Sequence, residues 1–513
     1  MIIRLLYLVF LLGVTTTSIA QPKTPATGEI MYHVFQRSFY DSNGDSHGDL
    51  NGLRQKLGYL KELGVTSILL LPLYEADCYH NYFANDFESI DPEFGTLNEY
   101  LSLVRAIHAQ GMKVYMDMET QYVTEKHAWW QSAVGNRDSP FSDYLLFDDS
   151  AHNTPATMIF GLRVLNGYDG RVIKVTTVNL KSKQVLDYNR RLFGFFLDPN
   201  QDGRFDDGVD GFRLDHAMDR LDDKPTLIDL FASFWKPLVD DLKKINPGIT
   251  IIAEQADWTD YGFDYFHRAG VDRMFGFELR QAILSFDKSQ LIHKADTTLR
   301  LCPPGKQQIV FLENHDIDRL ASTIEDRSKQ KVAAALMFYM GGVPAIYYGQ
   351  EIGMQGKNKS FGNTDGNNIP VREAFDWYRS GEGLGTAMWY KRSGPWWDEV
   401  NNKANDGISL EEERADSGSL FNYYRTLIQV RQAHPALSGG QYSHALNDNE
   451  RVFSFTRAHG PQRVLVIVNL SNEEQTASLL DPVQVQRSLF GSSRLKNNRI
   501  RLLPYEVTVF ELK

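Results

Sequence analysis

The sequence predicts an α/β protein: a closed barrel of eight parallel strands alternating with helices, a (β/α)8 or TIM barrel, with a separate excursion in the third crossover and a small antiparallel C-terminal domain. Eight β-rich segments alternate with amphipathic helical segments between residues 28 and 435, and strands separated by helices pair in parallel. The third connection is much longer than a barrel loop needs, and from residue 436 strands and turns alternate without helices. A doubly wound open sheet is the alternative arrangement of the same elements.

The predicted barrel strands are short apolar runs, several of which end in a polar residue. In chain order they cover residues 29–39, 65–73, 113–118, 209–215, 249–255, 271–277, 307–314 and 343–349. The first two helices between them end in Gly64 and Gly111. Glycine just after an amphipathic run is a typical helix stop, because it adopts the left-handed conformation without strain.

These elements divide the chain into five parts. Residues 21–118 form the first part of the barrel domain, and residues 119–195 form a separate domain within the third crossover. Residues 196–435 complete the barrel, and residues 436–513 form the antiparallel C-terminal domain. Residues 1–20 are predicted to be a signal peptide.

The signal peptide is predicted from a short basic start, "MIIR", an apolar core, "LLYLVFLLGV", and small residues that permit cleavage after Ala20. Ten apolar residues are too few to span a bilayer, which argues against a membrane anchor. We therefore expect the protein to be exported, to the periplasm or outside the cell.

Composition narrows the class of partner. The chain has 513 residues, is 42% hydrophobic and carries a formal net charge of -11. This length favours two or three structural units, and this hydrophobicity is typical of globular proteins. The negative charge argues against nucleic acid, whose phosphates require clustered Lys and Arg. A neutral ligand, or a cation held by carboxylates, fits better.

Four acids stand at or just after the ends of predicted strands. Asp117 ends the third strand, Asp215 the fourth and Glu254 the fifth, and Asp316 follows the seventh. In a parallel barrel these ends meet on one face, where functional residues gather. Carboxyl groups held together shift one another's pKa, an arrangement suited to acid and base chemistry.

The segment "DGFRLD" shows how such an acid can be kept ionised. Side chains alternate along a strand, so Arg213 and Asp215 share one face. Arg213 can then hold Asp215 in the charged form that a carboxylate nucleophile needs, although an ordinary ion pair is the alternative. Glu254 lies between an apolar run and polar residues, where a raised pKa suits a general acid.

Several segments together resemble the α-amylase family of retaining, α-glucoside-active enzymes. They are "HNYFANDFESIDPEFGT", "DGFRLD", "AEQ", "ENHD", "GVPAIYYGQEIGM" and "REAFDWY", and they occur in the family's order along nearly the whole mature chain. The resemblance implies the closed barrel as domain A, domain B in the third crossover and a β-sandwich domain C.

The resemblance also implies roles for individual residues. Asp215 would be the nucleophile of a covalent double displacement, Glu254 the general acid/base and Asp316 the transition-state stabiliser. Contacts to the reacting sugar would come from Tyr82, Asp117, Arg213 and His315. Trp258, four residues after Glu254, is the best candidate for a contact on the leaving-group side.

Two loops suggest Ca²⁺ as a cofactor. In each, oxygen-bearing residues alternate around a turn, as hard cations require, but neither loop has the Glu at position twelve of an EF-hand. The first resembles a Ca²⁺-binding loop of the family, whereas the second could also be an ordinary polar turn. Their ligands would be Asp41, Asn43, Asp45, His47 through its carbonyl, and Asp49 in the first loop, and Asp198, Asn200, Asp202 and Asp206 in the second.

The sequence departs from the family pattern after the third strand. Members commonly carry Asp, any residue, Val, any residue, Asn and His, and the same offsets here hold Asp117, Glu119, Gln121 and Tyr122. The usual Asn serves a Ca²⁺ near domain B, so Gln121 places that ion in doubt. The usual His holds a hydroxyl of the reacting sugar, and we expect Tyr122 to take over this contact.

A second departure follows the nucleophile. Many starch-degrading members have Lys and His at the third and fourth positions after it, where this chain has Met218 and Asp219. That part of the leaving-group subsite must therefore be built differently.

The predicted function is hydrolysis of α-glucosidic, mainly α-1,4, linkages in maltooligosaccharides, starch, pullulan or cyclodextrins. The first alternative is a transglycosylase or isomerase that uses the same mechanism with a sugar hydroxyl in place of water. The second is a non-catalytic glucan-binding protein, which the presence of all three acids disfavours.

Overall fold

The computed structural model describes residues 28–255 and 257–513, and it confirms the closed barrel. Eight parallel strands join edge to edge in the order β1-β8-β7-β6-β5-β4-β3-β2, with each strand beside its sequence neighbours. This closure rules out the open sheet. The strands are β1 Met31–Val34, β2 Ser67–Leu70, β3 Lys113–Met118, β4 Gly211–Leu214, β5 Thr250–Ala253, β6 Arg273–Phe275, β7 Gln307–Phe311 and β8 Val343–Tyr347. The predicted signal peptide lies outside the described residues.

Helices surround the barrel and cover its outer face. The α-helices between the strands and after β8 are Leu50–Gln55, Leu57–Leu63, Leu97–Ala109, Lys183–Leu197, Lys236–Ile245, Phe277–Ser285, Lys288–Ala295, Leu320–Thr323, Arg327–Tyr339, Leu410–Ala415, Leu420–Ala433 and Pro435–Gly439. Short π-helical turns cover Phe231–Trp235, Tyr265–Ala269 and Asp296–Arg300. Short 3-10 helical segments cover Gln36–Ser38, Ile159–Gly161, Gln350–Ile352, Asp365–Val371 and Pro395–Glu399.

The helix Leu97–Ala109 shows why these segments are helical. Thr96 accepts a hydrogen bond from the backbone N–H of Glu99, whose carboxylate accepts one from the N–H of Thr96 at 2.7 Å. This capping box satisfies two N–H groups that the helix leaves free. The buried residues Tyr100, Leu103, Val104 and Ile107 fall at helical spacing and face the barrel.

The register between neighbouring strands positions the polar residues at the top of the barrel. Asp117 of β3 pairs with Arg213 of β4, and Arg213 pairs with Ile252 of β5. Parallel strands in this register present their C-terminal side chains at one level. Below them, apolar side chains that include Met31, Leu69 and Ile309 fill the barrel.

Domain B is a five-stranded sheet that draws on two connections. Its strands, in spatial order, are Tyr74–Ala76, Ala84–Ile90, Tyr122–Thr124, Val172–Thr177 and Val164–Asn166. The first two lie in the connection after β2, outside the predicted range 119–195. The predicted boundary at 195 falls inside the helix Lys183–Leu197, whose Phe193 packs on Phe212 of β4 at 4.7 Å between ring centroids. This helix is therefore part of the barrel. The short helix Ala128–Ala133 lies within domain B.

The C-terminal domain consists of two antiparallel sheets. Five strands pair in the order Gln441–His444, Val452–His459, Gln462–Asn469, Val507–Leu512 and Val485–Phe490, and Gln475–Ser478 pairs with Arg499–Leu502. Apolar side chains from both sheets, including Leu465, Ile500 and Phe510, form the core between them. Among the described residues, no helix is both long and apolar enough to cross a membrane.

Candidate active site

A single guanidinium holds three carboxyl groups at the top of the barrel. Arg213 Nη1 lies 2.5 Å from Asp117 Oδ2 and 2.8 Å from Asp215 Oδ1, and its Nη2 contacts Glu254. All four side chains are buried. A planar guanidinium has donors on both terminal nitrogens, so it can place carboxyl groups on two sides at once.

The three carboxyl groups do not share one charge state. Burial alone would raise the pKa of Asp215, but Arg213 and His216 outweigh it and hold the pKa below its ordinary value. Burial raises the pKa of Glu254 well above its ordinary value and that of Asp117 to about 7, although Arg213 opposes both changes. One cation cannot keep three adjacent carboxyl groups ionised. The site therefore offers an ionised Asp215 beside a protonated Glu254.

Tyr82 and His315 form the next part of the site. The Tyr82 hydroxyl donates to Asp117 Oδ2 at 2.7 Å and lies 2.8 Å from His315 Nε2. The two rings stack with centroids 5.5 Å apart, and His315 Nε2 is 3.2 Å from Asp316 Oδ2. Burial lowers the pKa of His315 well below its ordinary value, so the ring is neutral and offers hydrogen bonds rather than charge.

Arg372 is a site residue that the sequence reasoning missed. Its Nη2 lies 3.1 Å from Asp316 Oδ1, and its Nε donates to the His315 carbonyl at 2.8 Å. Its Nη1 also donates to the Tyr79 hydroxyl at 2.9 Å. Arg372 begins the motif "REAFDWY", so the signal was present, but only the folded chain brings it to Asp316.

Trp258 presents one open ring face. It is 38% exposed, and its other face stacks on Phe277 with centroids 4.9 Å apart and planes 6° apart. An indole fixed from one side and open on the other is suited to stacking on an apolar sugar face. The contact of Trp258 with the leaving-group side stays a prediction.

Tyr122 does not lie where a sugar contact requires it. Its side chain is fully buried in the core of domain B, and its hydroxyl donates to the Asp222 carboxylate at 2.8 Å. The chain has already entered the domain B strand Tyr122–Thr124, and the ring packs edge-on against the His216 imidazole with centroids 6.0 Å apart. The expected role of Tyr122 in sugar binding is therefore replaced by one in packing.

Gln121 and Glu119 instead contact the segment that carries Asp215. Gln121 Nε2 donates to the Asp215 carbonyl at 2.5 Å, and its Oε1 accepts from Thr120 N–H at 2.6 Å. Both ends of the amide are thus engaged within the protein. Glu119 Oε2 lies 2.8 Å from His216 Nδ1.

Met218 and Asp219 anchor the loop after Asp215. The Met218 carbonyl accepts from Trp235 Nε1 at 3.0 Å. The Asp219 carboxylate accepts from Phe231 N–H at 2.8 Å and pairs with Arg268 at 2.6 Å. These two positions therefore make structural contacts within the loop and its neighbouring helices.

The first candidate Ca²⁺ loop folds around its own carboxylates. Asp41 Oδ1 accepts from Gly44 N–H at 2.6 Å, Asp49 Oδ1 accepts from Gly52 N–H at 2.8 Å, and Asn43 donates to Asp45 at 2.9 Å. The oxygen donors suit a hard cation. However, the acids of this loop do not converge on one point. Among the described residues, the acid and imidazole groups that lie within 4.8 Å of one another belong to Glu119, Asp215 and His216.

The second loop supplies a positive charge of its own. Arg204 lies 2.6 Å from Asp206 Oδ2 and 3.9 Å from Asp202 Oδ2. Asp198 accepts from Gly203 N–H at 2.8 Å, as in an ordinary turn. The guanidinium already lies near two of the three carboxylates to which a cation would bind, so this loop fits Ca²⁺ less well than the first.

The fold and site together define a class of protein: a barrel enzyme whose strand ends carry an ionised and a protonated carboxyl group, as glycoside chemistry requires. The family described as "Alpha amylase, catalytic domain" matches residues 33–440, and "Alpha-amylase SusG C-terminal domain" matches residues 452–509. The chain therefore belongs to the α-amylase family and is an enzyme that acts on α-glucans.

Its relatives carry out several reactions. The chain is 27% identical to alpha-amylase 3 of Dictyoglomus thermophilum over 94% of its own length and 93% of the relative's. It is 28% identical to a 4-alpha-glucanotransferase of Thermotoga maritima, over 87% and 96% of the two chains. The structure of an alpha-amylase from H. orenii superimposes with a TM-score of 0.77 at 26% identity, covering 94% and 99% of the two chains.

Proposed function

We propose that this protein is an exported retaining glycoside hydrolase that cleaves mainly α-1,4 linkages in maltooligosaccharides, starch, pullulan or cyclodextrins. The main support for this proposal is that two carboxyl groups beside the Arg213 guanidinium have pKa values shifted in opposite directions. The pKa of Asp215 is held low, while that of Glu254 is raised. A double displacement needs such an anionic nucleophile beside a protonated acid.

In the first step, Asp215 attacks the anomeric carbon as the glycosidic C–O bond breaks and Glu254 gives its proton to the leaving oxygen. The product is a glycosyl ester on Asp215. In the second step, Glu254, now a carboxylate, takes a proton from water, whose oxygen displaces Asp215 from the anomeric carbon. Two displacements restore the original anomeric configuration.

Neighbouring groups would hold the reacting sugar. Asp316 and Asp117 offer carboxyl oxygens to sugar hydroxyls, and Arg372 fixes Asp316 through the 3.1 Å contact. The neutral His315 and the ring of Tyr82, stacked together, form a wall for the sugar. Trp258 would stack with the leaving-group side of a longer glucan.

A transfer reaction is the second candidate. An acceptor sugar hydroxyl could replace water in the second step without any change in the acids. The favouring observation is that a glucanotransferase and an amylase match this chain at similar identity, 28% and 27%.

Product analysis separates these candidates. The purified protein is incubated with maltotriose to maltoheptaose, pullulan, cyclodextrin and isomaltose, beside an Asp215→Asn control. We expect shorter α-glucans from the wild type and none from the variant. Products longer than the starting sugar would establish transfer instead. Binding of glucans by both proteins, with turnover by neither, would overturn the enzymatic proposal.

Export and Ca²⁺ are also parts of this proposal. Export is supported by the N-terminal pattern and predicts that the mature protein begins at Gln21, which N-terminal sequencing of the secreted chain would test. We place one Ca²⁺ in the loop from Asp41 to Asp49, supported by its alternating oxygen donors.

A further inference from the structure

We infer that Glu119 and His216 act as a positioning pair for Asp215, so that the nucleophile is held between two cations rather than one. The inference rests on the proposed function, in which Asp215 is the nucleophile. It is specific to the stretch where this chain departs from its family, since Glu119 stands two residues after Asp117 at the end of β3.

The geometry places one cation on each oxygen of Asp215. Arg213 Nη1 lies 2.8 Å from Oδ1, and His216 Nδ1 lies 3.5 Å from Oδ2. Arg213 also contacts Asp117 and Glu254, so its charge is divided among three carboxyl groups. His216 adds a second charge on the side of Asp215 that Arg213 does not face.

Glu119 orients the imidazole. Its Oε2 is 2.8 Å from Nδ1, close enough to accept the Nδ1 proton, whereas the 3.5 Å separation from Asp215 is a charge contact. Glu119 is itself fully buried and fixed: its Oε1 accepts from Gln121 N–H at 2.9 Å, and its carbonyl accepts from Tyr74 at 2.6 Å.

The backbone holds the pair against the nucleophile. His216 has a φ of 41°, a conformation that residues other than glycine rarely adopt. This conformation directs the imidazole back towards Asp215 and Glu119. The Met218 N–H donates to the His216 carbonyl at 2.6 Å and so closes the turn. Gln121 holds the Asp215 carbonyl from the other side at 2.5 Å.

The groups around His216 favour its protonated form. Asp215 and Glu119 contact it, Glu254 and Asp316 interact with it across the site, and Asp222 faces it beside the ring of Tyr122. The cations nearby are Arg213, on the far side of Asp215, and Lys224, which interacts with Asp222. Burial lowers the pKa of His216, but Asp215 and Glu119 outweigh it and raise the value to about 10.

The pair transfers no proton in the reaction. When Asp215 forms the glycosyl ester, its charge is lost, and the imidazolium keeps its proton on the Glu119 side. When water displaces the ester, the same imidazolium favours the returning carboxylate. The expected consequence is a lower pKa for Asp215 and a more stable leaving carboxylate in the second step.

The test is the pH profile of kcat/KM with α-glucosyl fluoride, whose leaving group needs little protonation, so the acid limb reports Asp215. We compare the wild type with His216→Gln, Glu119→Gln and Asp223→Asn. Asp223→Asn is the control, because it removes a charge from the same loop but at a side chain that is 99% exposed. Thermal unfolding establishes that each variant is folded.

We expect the acid limb of His216→Gln to move up by about one pH unit or more, because an opposite charge within about 4–6 Å lowers a carboxyl pKa by about 1–3 units. Glu119→Gln should shift it in the same direction but less. The amide oxygen still accepts from His216, and the amide N–H can replace the direct hydrogen bond by which Glu119 also lowers the pKa of Asp215. Asp223→Asn should overlay the wild type.

An unshifted acid limb in folded His216→Gln would overturn the inference. If that variant does not fold, an unshifted limb in Glu119→Gln does so instead. A wild type that turns over neither the fluoride nor any glucan would overturn the proposed function itself, so the two failures are distinguishable.

Discussion

At the level of single residues, the proposed double displacement depends on the different charge states of Asp215 and Glu254 beside Arg213. Glu254→Gln removes the proton donor and keeps the shape. We expect kcat/KM on maltooligosaccharides to fall by roughly 10²–10⁴-fold, the usual contribution of a general acid. Activity on α-glucosyl fluoride should fall far less, since fluoride leaves without a proton. Equal losses on both substrates would contradict the assigned role.

His216 gives a second prediction at this scale, on stability against pH. Its pKa is raised from 6.5 to about 10 in the folded chain. The folded state then binds the proton more tightly than the unfolded state, so the stabilisation is complete below about pH 6.5 and is lost as pH rises to about 10. His216→Gln should therefore lower the melting temperature most at the acid end of this range. A deficit that grows with pH would show that the imidazole is neutral.

At the scale of the element, the candidate Ca²⁺ loop between β1 and the helix Leu50–Gln55 predicts an effect of chelation. A ligand that binds only the folded state stabilises it by about 2.7 kcal/mol at a hundred times its dissociation constant. Removing Ca²⁺ should therefore lower the melting temperature by several degrees. Asp45→Asn should reduce this shift in melting temperature. Asp202→Asn should leave the shift unchanged, because Asp202 lies in the second loop, beside Arg204. Identical melting temperatures with and without chelator would contradict the prediction that this loop binds Ca²⁺.

The strands show how much of the fold could be predicted from the sequence. The eight strands were predictable because each is a short apolar run between helical segments, although the predicted ranges extend past the observed ends, as at residues 29–39 against Met31–Val34. Domain B was less predictable. Its strands Tyr74–Ala76 and Ala84–Ile90 lie in a different connection from the other three, and the pairing between the two groups appears only in the folded chain.

Individual contacts were the hardest to predict. The four acids were found because each stands at a strand end, where the barrel dictates the direction of the side chain. Arg372 reaches Asp316 across more than fifty residues, as their numbers show, and nothing local encodes this contact. Tyr122 was misplaced because the chain turns into domain B between Met118 and Tyr122, so that strand alternation no longer predicts direction.

At the scale of the whole molecule, the C-terminal domain is fixed to the barrel by buried polar contacts. Arg457 Nη1 of the C-terminal domain donates to the Tyr339 carbonyl at 2.9 Å, and Lys288 of the barrel donates to the Asn449 carbonyl at 2.9 Å. The Tyr339 carbonyl ends the helix that leads to β8, so Arg457 caps a group that the helix leaves free. The two domains therefore form one packed unit, which agrees with relatives that match nearly the full length of the chain.

Covalent catalysis by Asp215 can be tested by trapping the glycosyl-enzyme intermediate. The protein is incubated with 5-fluoro-α-glucosyl fluoride, which forms the glycosyl ester readily but slows its hydrolysis, and the digested chain is examined by mass spectrometry. We expect one added fluoroglucosyl group, on the peptide that contains Asp215, and none in Asp215→Asn. A wild type that hydrolyses glucans yet carries the group on another residue, or carries none, would contradict covalent catalysis by Asp215.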